Sequence, residues 1–181
     1  MKDPGVAHAP GCPGKSTGTA PLNKLAELVI ERLALGHDVA AVKYVNGRPI
    51  DDPIREHQIL ELATQVLNGS GRYQQIGRQF FSDQLEANKV IQRQLHHRWR
   101  AHPEEVPVAH RNLAAEIRPD LDDVTAQMMR EFMKMEELPH VRCGYIEDLI
   151  DTKLFTKFPP PQLQEVHRDA AVFALRSFVT S

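Results

Sequence analysis

The positions on the predicted buried face in the first quarter of the chain follow helical spacing. Leu25, Val29, Arg32, Gly36, Val39 and Lys43 are separated alternately by four and three residues, the seam of a helix that packs on other helices. This pattern predicts a helix over residues 22–45. We expect a kink at Gly36-His37-Asp38, and an end before the Asn46-Gly47 and Pro49 turn residues.

Two further helices follow the first one. Asp52 is a good N-cap and Pro53 suits a first helical position, so a second helix is predicted from there to about Leu67. The spacing predicts that this helix turns Ile59, Leu62, Ala63 and Val66 inward. A third and longest helix is predicted over residues 73–100, with an apolar stripe formed by Ile76, Phe80, Phe81, Ala87, Ile91, Leu95 and Trp99.

The second half of the chain is also helical in pattern, although less regular. Helical spacing recurs in three places: at Leu121, Val124, Met128, Phe132 and Met135, over residues 145–155, and after Pro159-Pro160-Pro161. No alternating strand pattern is present, so the predicted class is an all-α helical bundle. We expect a flexible leader or artificial remnant at 1–21. A single domain at 22–181 would then comprise core helices at 22–100 and a helical C-terminal half at 104–181.

Composition excludes several classes of partner. A net charge of −2 and a pI near 6.5 give no support for a nucleic-acid or membrane-surface role. No apolar run approaches the roughly 18 residues that cross a bilayer. Cys12 and Cys143 do not define a compartment, and whether they pair stays open. No histidine, cysteine or carboxylate set has a metal-ligand spacing, so no metal site is predicted.

Cations on faces predicted to be buried are the strongest chemical signal. Arg32 and Lys43 lie on the seam of the first helix, and a buried cation without a partner costs several kcal/mol. No matching row of carboxylates is visible on neighbouring segments, so the missing anion is interpreted as a ligand. Ordinary alternatives remain open: ion pairs of Arg32 or Arg55 with Glu31 or Glu56, or side chains that extend to solvent.

A polar stripe on the third helix supports the same interpretation. Gln84, Asn88 and Gln92 recur every four residues along a helix whose other contacts are apolar. An interhelical hydrogen-bond network or a solvated flank would also explain the stripe by itself. Taken with the cations, however, it describes two guanidinium groups, one ammonium and amide donors that converge inside a bundle. Such a site suits a small dicarboxylate with a further polar oxygen.

The order and spacing of these residues match a known family. The chain contains Glu31-Arg32-Leu33, Val39-Ala40-Ala41-Val42-Lys43-Tyr44, Pro49-Ile50-Asp51-Asp52, Arg55-Glu56 and Phe81-x-Asp83-Gln84-x-x-Ala87-Asn88-x-x-Ile91-Gln92. With these motifs, residues 22–100 resemble the all-helical chorismate mutases, especially the secreted single-chain branch. The resemblance implies a cofactor-free isomerase of the shikimate pathway that converts chorismate to prephenate for aromatic amino acid biosynthesis.

The resemblance also implies a role for each matching residue. Arg32 and Arg55 would bind the substrate carboxylates, and Lys43 would contact a carboxylate and the ether oxygen. Glu56 would accept a hydrogen bond from the substrate hydroxyl, with Asp52 nearby. Gln92 would donate to the ether oxygen, as in the common dimeric enzymes, and Asn88 would occupy a polar contact position.

One further cation is expected from the C-terminal half. Arg118 is favoured, and Arg111 is the competing candidate. The resemblance implies a periplasmic or secreted protein and leaves a homodimer open. Two other functions stay open: a lyase on the same fold that removes pyruvate from isochorismate, and a non-catalytic helical protein that binds an aromatic-pathway acid.

Overall fold

The computed structural model describes residues 19–68, 72–108, 111–135, 141, 144–154 and 161–178, and this part of the chain contains no β-strand. It forms six α-helices: α1 (Thr19–Val45), α2 (Pro53–Val66), α3 (Arg72–Ala101), α4 (Arg118–Met133), α5 (Tyr145–Leu154) and α6 (Pro161–Leu175). Short helical turns lie at Pro103–Glu105, Leu113–Ile117 and Arg176–Phe178. The predicted all-α class is confirmed. Cys12, Cys143 and residues 1–18 of the expected leader lie outside the described residues.

Helix α1 begins at Thr19, three residues before the predicted start, and continues without interruption through Gly36 to Val45. The helix is not broken at Gly36-His37-Asp38, where the sequence predicted a kink. Glycine has a different purpose here, because a Cβ atom at Gly36 would lie 2.5 Å from Oδ1 of Asn88 on α3. Gly36 thus permits close contact between α1 and α3.

Helix α2 starts as its sequence predicts but buries a narrower face. Oδ1 of Asp52 accepts a hydrogen bond from the backbone N–H of Arg55 at 3.2 Å, which caps the helix. Ile59 and Ala63 are buried, whereas Leu62 is 47% and Val66 39% exposed. The prediction that Leu62 and Val66 face inward was wrong, because α2 packs mainly on α3 and so needs only one narrow stripe.

Helices α4, α5 and α6 pack around α1, and α3 packs on α1 and α6. One continuous apolar core joins the two halves of the chain, with large members such as Leu25, Leu33, Phe80, Phe81, Met128, Phe132 and Phe178. Asp83 ties the end of α6 to α3, because it accepts hydrogen bonds from Arg176 at 2.7 and 3.0 Å and from the Ser177 hydroxyl at 3.1 Å. Among the described residues, no helix has the length and apolar character needed to cross a bilayer.

Candidate active site

A cavity of about 630 Å³, including its open mouth, lies between α1, α2, α3 and the start of α4. Its lining contains all eight residues predicted for the site: Arg32, Lys43, Asp52, Arg55, Glu56, Asn88, Gln92 and Arg118. Arg111 does not line the cavity and instead pairs with Asp38 and Asp120. The side chains come from segments separated by more than eighty residues in sequence, and packing of α4 against α1 brings the segments together.

Arg32 is the most buried cation of the cavity, with 4% of its surface exposed. Its Nε donates to Oγ1 of Thr125 at 3.3 Å, while one terminal nitrogen, NH1, has no hydrogen-bond partner among the described residues. Burial, and secondly the nearby positive charge of Arg55, lower the pKa of Arg32 to about 10. An anion bound in the cavity would therefore stabilise the charge of this guanidinium.

Lys43 is the second buried cation, 8% exposed, and its Nζ donates to the backbone carbonyl of Ile50 at 2.5 Å. Burial lowers the pKa of this ammonium, and the negative charge of Asp52 opposes that effect. An ammonium has three hydrogens, so a single carbonyl leaves capacity for further acceptors. Lys43 is therefore equipped to contact an anionic ligand.

Two other cations at the cavity already have carboxylate partners. Arg55 bonds to Asp122 of α4, and NH2 of Arg118 lies 2.9 Å from Oδ2 of Asp52. Sequence spacing did not indicate these partners, because Asp122 lies 67 residues from Arg55 and Asp52 lies 66 residues from Arg118. Arg55 and Arg118 are only partly buried, so solvent weakens these pairs and a ligand can compete for them.

Glu56 does not pair with Arg55, the partner that sequence proximity suggested. Its Oε1 accepts from the backbone N–H of Asp52 at 3.3 Å, and its Oε2 lies 3.0 Å from Nζ of Lys89. Lys89 also lines the cavity, but the sequence analysis did not identify it. The available signal was its position directly after Asn88, next to the polar stripe of α3.

The three residues of the polar stripe on α3 have two different roles. Gln84 donates to the carbonyl of Ala174 and so joins α3 to α6. Asn88 donates through Nδ2 to the main-chain carbonyl of Arg32 at 3.1 Å, and its Oδ1 accepts from Nε2 of Gln92 at 3.1 Å. Oε1 of Gln92 is buried without a hydrogen-bond partner among the described residues. Asn88 and Gln92 therefore supply polar groups to the cavity, whereas Gln84 does not line it.

The cavity combines cationic groups with apolar walls that include Val39, Ile59, Leu113 and Leu121. This combination suits a small organic anion whose carboxylates meet the cations while its carbon skeleton contacts the walls. The described residues bring together one metal-like cluster, His102, Glu104 and Glu105, which is exposed and does not line the cavity. Glu105 in that cluster is already bonded to Arg98.

An all-helical bundle with this architecture is found in solved chorismate mutases. The structure is similar to that of the chorismate mutase from Burkholderia thailandensis, with a TM-score of 0.71 and 28% sequence identity, covering 87% of this chain and 98% of that one. The sequence model of type II chorismate mutases matches residues 23–93. A chorismate mutase of Methanocaldococcus jannaschii is 36% identical over 72 residues, which span 40% of this chain and 73% of the relative. The chain belongs to the chorismate mutase family.

Similarity also extends into the C-terminal half. A secreted chorismate mutase of Mycolicibacterium smegmatis is 26% identical over 159 residues, which cover 88% of this chain and 86% of the relative. The family model ends at residue 93, so this relative and the Burkholderia structure both reach beyond it. They therefore relate α4, which carries Arg118, to the same family.

Proposed function

We propose that this protein is a chorismate mutase, an isomerase that converts chorismate to prephenate in the shikimate pathway of aromatic amino acid biosynthesis. The observation that carries the proposal is Arg32, a buried guanidinium in a cavity lined by cationic and amide groups, with one nitrogen that has no hydrogen-bond partner in the described part of the chain. Family membership supports the same activity.

The reaction is a pericyclic rearrangement in which the ether C–O bond breaks as a C–C bond forms within the same molecule. It requires neither a nucleophile nor a cofactor. The flexible enolpyruvyl side chain must, however, fold over the ring. Arg32 and Arg55 would hold the two carboxylates and restrict this motion, an effect bounded by the roughly 7–11 kcal/mol available from ideal positioning.

Negative charge grows on the ether oxygen in the transition state. We assign its stabilisation to the ammonium of Lys43 and the side-chain amide of Gln92, which both line the cavity. A preorganised donor of this kind contributes about 3–4 kcal/mol, a factor of roughly 10²–10³ in rate. Because both donors are buried, water weakens their interaction with the oxygen less than it would at the surface.

The remaining polar groups would complete substrate binding. Glu56, beside Lys89, would accept a hydrogen bond from the substrate hydroxyl, with Asp52 nearby. Arg118 would bind a carboxylate after it exchanges its contact with Asp52 for the substrate. A single chain thus provides all the residues of the proposed site.

Purified protein treated with a chelator tests the proposal. We expect the treated protein to convert chorismate to prephenate as fast as untreated protein does, measured by the loss of chorismate absorbance. Pyruvate release from isochorismate would instead identify the lyase, and binding without conversion would identify a binding protein. Activity that disappears with the chelator and returns with added metal would contradict cofactor-free catalysis.

We also propose that the protein acts outside the cytoplasm, as the name of its Mycolicibacterium relative states for that protein. Fractionation of the source cells with an antibody to the chain tests this location.

The prediction of a single domain over 22–181 is supported by the contacts of α1 with α4, α5 and α6, and limited proteolysis tests it. Light scattering at several concentrations tests the alternative of a homodimer.

A further inference from the structure

We propose that Gly36 and Asn88 form a positioning pair that fixes the side-chain amide of Gln92 in one orientation, with its NH₂ group as the donor. The inference rests on the proposed function, in which Gln92 donates to the ether oxygen. It gives Asn88 a role different from the substrate contact expected from sequence. It also gives Gly36 a role in catalysis without any contact to substrate.

The orientation of Asn88 is determined by α1. Its Nδ2 donates to the main-chain carbonyl of Arg32 at 3.1 Å, and a carbonyl can only accept. The other end of the Asn88 amide is consequently an oxygen, and this Oδ1 is the atom 3.1 Å from Gln92. Asn88 is buried, so water cannot readily replace either contact.

The orientation of Gln92 follows from that of Asn88. An amide flip at Gln92 would place its oxygen opposite Oδ1 of Asn88, and two acceptors at hydrogen-bond distance repel each other. The observed orientation uses one hydrogen of Nε2 for Asn88 and leaves the second for another acceptor. The main-chain carbonyl of Arg32 therefore determines, through Asn88, that Gln92 acts as a donor.

Gly36 provides the space that Asn88 needs. A Cβ atom at this position would lie 2.5 Å from Oδ1 and 3.0 Å from both Cγ and Nδ2 of Asn88. Because this contact meets the whole amide group, Asn88 could not keep both hydrogen bonds beside an alanine. A smaller residue at 88 would relieve the clash, so the sizes of residues 36 and 88 are coupled.

Steady-state kinetics of Gly36→Ala, Asn88→Ala, Asn88→Ser and the double variant Gly36→Ala/Asn88→Ser test the pair. Gly36→Ala and Asn88→Ala should each lower kcat about tenfold or more while KM changes less than about threefold, since a transition-state interaction is lost. A serine hydroxyl both donates and accepts, so Asn88→Ser should retain more activity than Asn88→Ala. The double variant should recover kcat to within about threefold of Asn88→Ser.

Gly77→Ala is the matched control. Gly77 is also a helical glycine without space for a Cβ atom, but the neighbours there are Leu67 and Phe132. Its replacement should lower thermal stability and leave kcat unchanged, and Asn88→Ser should not rescue it. A rise in KM at constant kcat in Asn88→Ala would mean that Asn88 binds substrate directly, and would overturn the inference. Failure of Asn88→Ser to rescue Gly36→Ala would overturn it as well.

A spectroscopic measurement separates this inference from the proposed function. In protein with ¹⁵N-labelled glutamine side chains, the Gln92 amide signal is the one lost in Gln92→Ala. It should shift and exchange faster in Asn88→Ala and in Gly36→Ala, and return towards its original position in the double variant. If neither substitution changed the chemical shift or exchange rate of the Gln92 signal, Gly36 and Asn88 would not position Gln92. If the signal responded but wild-type protein left chorismate unchanged, only the proposed function would be wrong.

Discussion

Arg32 shows a conflict between stability and function at one side chain. It is buried on the seam of α1, where an apolar residue would pack without loss of hydration. Its depressed pKa shows that the folded state disfavours the charge. An anion bound in the cavity would compensate this cost, so the proposed substrate carboxylate explains why the position is not apolar.

Arg32→Met should separate the two properties. We expect loss of measurable mutase activity and a free energy of unfolding that rises by about 1–3 kcal/mol, because the desolvated charge disappears. The folded pKa of Arg32 lies below the unfolded value, so its unfavourable contribution is present at neutral pH and diminishes as pH rises past about 10. The difference in free energy of unfolding between wild type and Arg32→Met should therefore become smaller as pH rises past about 10. Urea unfolding at several pH values measures both effects, and a less stable variant would contradict this explanation.

Gln92 permits a test based on hydrogen-bond chemistry. An amide donates at any ordinary pH, so the wild-type rate should stay nearly flat from about pH 5 to 8. Above this range kcat/KM should fall at a lower pH than an ordinary lysine would give, because burial lowers the pKa of Lys43. Gln92→Glu can donate only while protonated, so it should keep activity at acid pH and lose it as pH rises.

The control for that prediction is Gln92→Ala, which should be poor at every pH because it has no donor. Rate measurements in buffers of constant ionic strength compare the three proteins. A Gln92→Glu profile identical to wild type in shape and rate would mean that Gln92 is not the donor to the ether oxygen.

Helix α4 connects the C-terminal half to the proposed site. Arg118 is its first residue, and its guanidinium reaches Asp52, the residue that caps α2. One turn further along, Asp122 bonds to Arg55 of α2. The position of α4 on α1 therefore determines which cation of the second half enters the cavity.

Arg118→Ala should lower kcat/KM at least tenfold, because a hydrogen-bonded charge contributes well over one kcal/mol to binding an anion. Arg111→Ala is the matched control. It removes the same group from a cation that pairs with Asp38 and Asp120 outside the cavity lining, and should have little effect on catalysis. Circular dichroism should show intact helices in both. The opposite ranking would transfer the role to Arg111, and two negligible effects would indicate a cation from another chain.

The two halves of the molecule are joined by a buried carboxylate as well as by the core. Asp83 on α3 accepts two hydrogen bonds from Arg176 and one from Ser177, both directly after α6, and one from Gln79. Such a bidentate pair holds a defined geometry. It therefore fixes the end of α6 against the helix that carries Asn88 and Gln92.

Arg176→Ala should reduce the free energy of unfolding by about 1–3 kcal/mol, since it leaves the buried carboxylate of Asp83 without its cation. The matched control is Arg168→Ala, which breaks an exposed pair with Asp151 and should cost at most about 1 kcal/mol. Urea unfolding monitored by circular dichroism measures both. Equal effects would show that the contact with Asp83 contributes no more than a surface ion pair.

Local sequence patterns determined the helices and most of the candidate site. Apolar spacing predicted α1 and α3, and Asp52-Pro53 fixed the start of α2, because periodicity and capping depend on residues only a few positions apart. The cations Arg32 and Lys43 stood out for the same reason, as charged residues within an apolar seam. Asn88 and Gln92 stood out as a polar stripe at four-residue spacing, and the family motifs then added Glu56 and Asp52 and a role for each residue.

Tertiary packing decided what those patterns left open. Arg118 lines the cavity and Arg111 does not, Asp122 faces Arg55, and Lys89 joins the lining. Leu62 stays exposed because few elements cover α2, and Gly36 contacts Asn88 where the sequence suggested a kink. Each of these facts depends on how helices distant in sequence approach each other. Their separation and rotation result from the whole core, which no local pattern encodes.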